Sequence, residues 1–229
     1  MGLYLGKEKL CSCDELVFTS NSMKMFFDAG GKLRDSTATS MDGWWNKEDT
    51  ADVTSMSYMF SYCYSLTSVP AMDTSRVTSM GQMFYYCISL TSVPAMDTSS
   101  VTNMGSMFAS CSKLTSVPAM DTSKVTDMNG MFQSCSKLTS VPAMDTSNVA
   151  YMDSMFYSCS SLTEIHMYGM KVSFNISAST KFTREALVEI LNNLATITSS
   201  KTLTMGSTNL AKLTDDDKLI ATNKGWTLA

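Results

Sequence analysis

The chain has 229 residues, a formal net charge of -4 and 17% charged residues, so it carries no basic stripe of the kind that tracks a phosphate backbone. Nucleic acid is therefore excluded as an expected partner. No apolar run is long enough to span a bilayer, which excludes membrane insertion by a helix.

Residues 1–48 form the first segment and show no repeat. Three stretches, 2–6, 15–19 and 23–27, read as short strands, separated by the turn-prone Asn21-Ser22 and Gly30-Gly31. The start has neither a basic cluster nor a continuous apolar run, so no secretory signal is expected. The seven cysteines are accordingly expected to be thiols in a reducing compartment while the protein folds. Trp44 and Trp45 could cover the open end of a stack, which would make this segment an N-terminal cap. The other reading is an attachment arm through which the chain forms a homo-oligomer.

From 49 to 172 one block recurs five times in phase: D-T-S-x-V-T-x-M-x-x-M-F-x-x-C-x-x-L-T-S-V-P-A-M. Its period is 24 residues, read from Cys63, Cys87, Cys111, Cys135 and Cys159. A fixed period in this range marks a solenoid, in which each unit buries its apolar face on its neighbours. Met80, Met83, Phe84 and Cys87 fall at i, i+3, i+4 and i+7, which predicts one face of a short helix. Ser92 to Met96 predicts an extended run, but the recurrent Pro70, Pro94, Pro118 and Pro142 lack an N–H and argue against a continuous sheet through that column. Between them, Asp-Thr-Ser suits an Asx turn that sets the corner of each coil.

The last segment, 173–229, follows a block that decays at Thr163 to Tyr168. Thr183 is placed to cap a helix whose Leu187, Ile190, Leu191 and Leu194 form one stripe. A strand is predicted at 202–205. A second helix follows, with Thr214 as cap, Asp215 to Asp217 at its positive end and Gly225 as stop, before a strand at 226–228. These elements predict an α/β C-terminal cap.

Few residues suggest chemistry. The cysteine column would bring thiols close in backbone terms, but parallel side chains point alongside one another and a straight column cannot form a tetrahedral metal site; buried free thiols are expected. The methionines fall mostly in three in-phase columns headed by Met56, Met59 and Met72, as core gap-fillers do. Asp49, Asp73, Asp97, Asp121 and Asp145 stack like charges, so each carboxylate must gain from its own turn or a cation must sit along the column; the turn is the preferred reading. The single histidine, His166, has no nucleophile motif around it, and no phosphate loop appears. The expectation is no catalytic residue, no metal site, no cofactor and no enzyme.

Variation inside the array points to a binding surface. The core columns hardly change, whereas differences concentrate at the columns of Arg76, Ser79, Gly81-Gln82, Tyr85-Tyr86 and Ile88-Ser89. Seven of the nine tyrosines lie in such columns: Tyr58, Tyr62, Tyr64, Tyr85, Tyr86, Tyr151 and Tyr157. Tyrosine offers a large contact area and a hydroxyl at low entropic cost, so these seven are the candidate ligand-binding residues. The competing reading is that tyrosine merely tolerates a half-exposed turn.

The block from Val77 to Met96 resembles the BspA-like bacterial leucine-rich repeats, in the branch first noted in mycoplasma surface lipoproteins. The segments Leu203 to Asp215 and Ala221 to Leu228 look like the endings of such proteins from gut bacteria and their phages, and Tyr4 to Lys9 is similar to the starts of phage structural proteins. The resemblance implies an α/β repeat, a right-handed leucine-rich-repeat solenoid of five 24-residue coils with N- and C-terminal caps. It also implies a non-enzymatic surface or adhesion protein. With no export signal expected, the first functional reading is a phage or prophage virion component, assembled in the host cytoplasm and used in host or surface attachment. Its partners would be a protein or glycan on a cell surface, or other virion proteins. The alternative is a bacterial cell-surface adhesin binding host protein or glycan.

Overall fold

The computed structural model describes residues 3–5, 8–11 and 47–229. Near the start, β1 (Leu3–Leu5) and β2 (Glu8–Cys11) pair antiparallel. The strands expected at 15–19 and 23–27, and Trp44-Trp45, lie outside the described residues. A 3-10 turn, Lys47–Thr50, leads into the array.

The array is a stack of coils in which every level bonds to the next. Parallel bridges run Ser55 to Ser79, Asn103, Asp127 and Tyr151, each one period apart. The short helix expected on the M-x-x-M-F-x-x-C face is replaced by tandem β-turns. In one coil Met59 N donates to Met56 O and Cys63 N to Phe60 O; in the next, Met83 N donates to Met80 O and Cys87 N to Phe84 O. Two successive four-residue turns send their first and fourth residues inward, which reproduces the i, i+3, i+4, i+7 pattern without a helix. Backbone competition decides between them. Met56, Tyr58, Phe60 and Tyr62 donate instead to Ser79, Gly81, Met83 and Tyr85 of the following coil, so alternate N–H groups go to the turn and to the neighbour. A helical run this short is marginal by itself, whereas the stacked arrangement satisfies each of these donors.

The third residue of each turn takes the left-handed conformation that a type II turn requires. These positions are Tyr58, Gln82, Ser106, Gly130 and Ser154 in one column and Tyr62, Tyr86, Ser110, Ser134 and Ser158 in the other, with φ between 53° and 64°. Only one of them is glycine. A side chain there costs about 1 to 2 kcal/mol, which the ladder of inter-coil bonds must offset.

Inside, Phe60, Phe84, Phe108, Phe132 and Phe156 form a continuous stack with centroids 5.3, 5.6, 5.8 and 6.1 Å apart and planes within 10° of parallel. Methionines pack around it; Met80, Met83, Met104, Met107, Met128 and Met131 are wholly buried. The five array cysteines are buried free thiols. From the second coil onward each donates to a phenylalanine carbonyl one coil back, Cys87 to Phe60 O at 3.0 Å and Cys111 to Phe84 O at 3.1 Å. Burial, then the neighbouring thiols, push Cys111 well above the ordinary thiol value, and burial pushes Cys159 up to about 12.

Corners form as the Asp-Thr-Ser triplet suggests. Asp73, Asp97 and Asp121 each accept through Oδ1 from the N and Oγ of the serine two residues on, at 3.0 and 2.7 Å. Those two bonds hold the carboxylates below their ordinary range, and for Asp97 the flanking Asp121 and Asp73 work against the effect. The intervening threonine turns inward: Thr74, Thr98 and Thr122 are buried and donate to the aspartate carbonyl of the next coil at 2.8 Å.

The S-V-P-A-M run is a defined strand only at β3 (Ser140–Asp145), which pairs parallel with β4 (Glu164–Tyr168). Their register shifts between Val141 and Met144, where Pro142 cannot donate. The decayed block, lacking proline, supplies the partner that the complete blocks cannot.

Beyond it the chain forms β5 (Phe174–Asn175), α1 (Arg184–Asn193), β6 (Lys201–Thr204), α2 (Ser207–Leu210), α3 (Asp215–Thr222) and β7 (Trp226–Leu228). The strands make one parallel sheet in the order β5-β6-β7. Thr183 and Thr214 cap α1 and α3, and Thr214 with Asp217 forms a complete capping box. Lys224 Nζ donates to the carbonyls of Leu191 and Leu194 at the end of α1, and Arg184 grips Asp217 with two bonds of 2.7 and 2.8 Å. Gly225 sits at φ 88°, and a Cβ there would come within 2.6 Å of Ile197 O, so the stop needs glycine for space as well as conformation.

Candidate functional site

The turns that carry the phenylalanine stack inward carry tyrosines outward. Tyr62 and Tyr86 occupy equivalent left-handed positions one coil apart, and their rings stack at 5.5 Å. Tyr85 meets Tyr62 edge-on at 5.3 Å and Tyr86 at 4.8 Å, while Tyr64 meets Tyr62 at 6.0 Å. Four of the seven predicted tyrosines thus form one cluster. Tyr64 is 48% and Tyr86 39% exposed, with Ile88 beside them at 40%. Tyr85 is the half-buried member. Burial pushes its phenol up, and Tyr62 and Tyr86 add to this.

The remaining three stand apart. The Tyr58 hydroxyl accepts from Gln82 Nε2 at 3.2 Å, at the rim of a shallow cleft. Tyr151 ends the bridge column, and Tyr157 occupies the column of Tyr85, three coils further on. Both are 59% exposed.

The cleft runs across Ser57, Gly81, Gln82, Asn103, Gly105, Ser106, Asp127 and Asn129, with a volume of about 180 Å³. The sequence marked the columns of Ser79 and Gly81-Gln82 as variable. It could not show that Asn103 of the third coil and Asp127 and Asn129 of the fourth would face a common hollow, because that depends on the turn geometry that replaces the expected helix.

His166 lies elsewhere, on β4. Its Nδ1 is 2.7 Å from Glu189 on α1, and its Nε2 is 3.5 Å from Glu164. The bond to Glu189 is the largest influence holding the imidazole above its ordinary value. The pair ties strand to helix. Among the described residues, no group of three or more histidines, cysteines or acidic residues is placed to hold a metal ion, and no helix is long and apolar enough to cross a membrane.

A family profile described as "Mycoplasma protein of unknown function, DUF285" matches residues 21–115 and 88–189. A solved structure, "Crystal structure of T. pallidum Leucine Rich Repeat protein (TpLRR)", is similar with a TM-score of 0.55 and 16% identity, over 86% of this chain and 88% of that one. The likeness shows the leucine-rich-repeat fold. No curated protein matches the chain.

Proposed function

The chain belongs to the family described as Mycoplasma protein of unknown function, DUF285, and from that premise we propose a non-enzymatic binding protein of the bacterial cell surface that recognises a protein on another cell through its tyrosine-bearing turn face. In this reading the array is a right-handed stack of five coils over 49–172, followed by a cap at 173–229 and preceded by a cap or attachment arm at 1–48. The surface assignment is supported by the BspA-like character of the repeat. The recognition face is supported by one observation above others: Tyr62, Tyr64, Tyr85 and Tyr86 are gathered into an exposed cluster on turns pinned to the neighbouring coil. Aromatic side chains held on rigid backbone lose little entropy on binding and dominate contact energies.

The experiment is a titration of labelled, purified chain onto intact animal and bacterial cells. Saturable binding to one class, removed when those cells are first treated with trypsin, is the expected result. Non-saturable binding, or binding indifferent to trypsin, contradicts the reading.

A second reading, a phage or prophage virion component, rests on the terminal segments, above all Leu203 to Leu228, and predicts that the chain sediments with particles.

A further inference from the structure

We propose that the polar cleft beside the tyrosine cluster is a separate binding site for a neutral oligosaccharide. The inference begins with how its side chains are held. Asn103 Oδ1 accepts from Gly105 N at 2.8 Å, Asp127 Oδ1 from Asn129 N at 2.9 Å, and Asn129 Oδ1 from Asp153 N at 2.7 Å. Each backbone donor fixes one heteroatom, and so fixes which end of each amide is nitrogen. The other heteroatom is left over: Asn103 Nδ2, Asp127 Oδ2 and Asn129 Nδ2 have no partner among the described residues. Gln82 differs, since its Nε2 donates to the Tyr58 hydroxyl, a group that can either donate or accept. The cleft therefore presents donors from Asn103 and Asn129 and an acceptor from Asp127, all locked in place before any ligand arrives.

Space over these groups is made by two glycines. A Cβ at Gly105 would lie 3.2 Å from Asp127 Oδ2 and 3.3 Å from Asn103 Oδ1, and one at Gly81 would lie 3.0 Å from Asn103 Oδ1. Neither glycine has a left-handed φ, so openness rather than backbone conformation distinguishes these positions.

The lining selects the ligand class. No lysine or arginine borders the cleft, and Asp127 is its one charged residue, which disfavours anions and gives too few carboxylates for a calcium cage. Amides, hydroxyls and a single carboxylate, rimmed by the exposed ring of Tyr58, suit the vicinal hydroxyls and apolar face of a pyranose. Coils about 4.8 Å apart step these polar groups at a spacing of the same order as the rise of an extended sugar chain. The site is distinct from the tyrosine cluster, so either can fail without the other.

The test is an amide-detected NMR titration of the full chain with three neutral probes: maltotriose, cellotriose and tri-N-acetylchitotriose. At least one is expected to shift the backbone signals of Gly81 and Gly105 and the side-chain amides of Asn103 and Asn129, saturating in the millimolar range typical of small open sites. Asp127→Asn keeps the turn acceptor but turns the free oxygen into a donor, and Gly105→Ala fills the hollow. Each should weaken binding at least about tenfold, a loss of about 1.4 kcal/mol, with unperturbed spectra elsewhere. The proposal is overturned if no probe moves these signals, if the shifts survive both substitutions, or if calcium moves them and sugars do not.

Discussion

Cys111 illustrates how single residues serve the stack. Its thiol donates to Phe84 O, a carbonyl that also accepts the N–H of Cys87, so one oxygen closes a turn and ties down the next coil. Burial keeps the proton on sulfur, and the thiolate is the reactive form. The array thiols of Cys63, Cys87, Cys111, Cys135 and Cys159 should therefore resist iodoacetamide at pH 8 in the native protein and label fully once it is unfolded. Mass-spectrometric mapping of native labelling on any of the inner three would sink this account. The left-handed positions give a second residue-scale prediction. Ser110→Val places a β-branched side chain at φ 64°, where such residues are outliers, and should destabilise by about 1 kcal/mol or more beyond serine, whereas Ser110→Gly removes the strain of a Cβ there and should be neutral to slightly stabilising. Denaturant midpoints that rank valine with glycine would show that the turn is not held in this conformation.

Among elements, the turn pair, the strand and the C-terminal helices differ in how well the sequence announced them. Thr183, Thr214 and Gly225 mark helix ends by local chemistry, and α1 and α3 lie where those signals put them. The predicted helix of the block failed because Met80, Met83, Phe84 and Cys87 satisfy both a helix and two tandem turns. Only inter-coil hydrogen bonds decide, and these are not local. β3 needed the loss of proline in a neighbouring block, again a non-local condition. Of the site, the tyrosines were visible as variation between blocks, while the cleft formed by Asn103, Asp127 and Asn129 was not.

The C-terminal elements also carry part of the pH dependence. His166 is held above its ordinary value of 6.5 by Glu189, so its contribution is complete below that value and disappears as pH rises through the folded one. Asp217 is lowered from 3.8 to about 2, first by Arg184 and then by the Thr214 backbone; its contribution is present above 3.8 and is lost as pH falls through 2. Thermal melts should show the wild type's advantage over His166→Gln shrinking on the alkaline side, and its advantage over Asp217→Asn shrinking only in strong acid. Differences that stay flat across both windows would remove the two pairs from the stability of this region.

At the scale of the molecule, one ladder of phenylalanines, thiols and alternating backbone bonds fixes the turn face, and most of the variation between blocks falls on what that face displays. Truncating the middle of the ladder, Phe108→Ala, should cost about 3 to 5 kcal/mol and loosen both adjoining levels, since its ring contacts Phe84 and Phe132. Changing the display should leave the ladder alone. The most direct measurement is therefore the cell-binding titration repeated with Tyr62→Ser, Tyr85→Ser and Tyr86→Ser combined, alongside the melting temperature of the same protein. The account predicts binding weakened at least about tenfold with cooperative melting preserved. Equal binding by the stably folded variant would contradict it and take recognition off the tyrosine face.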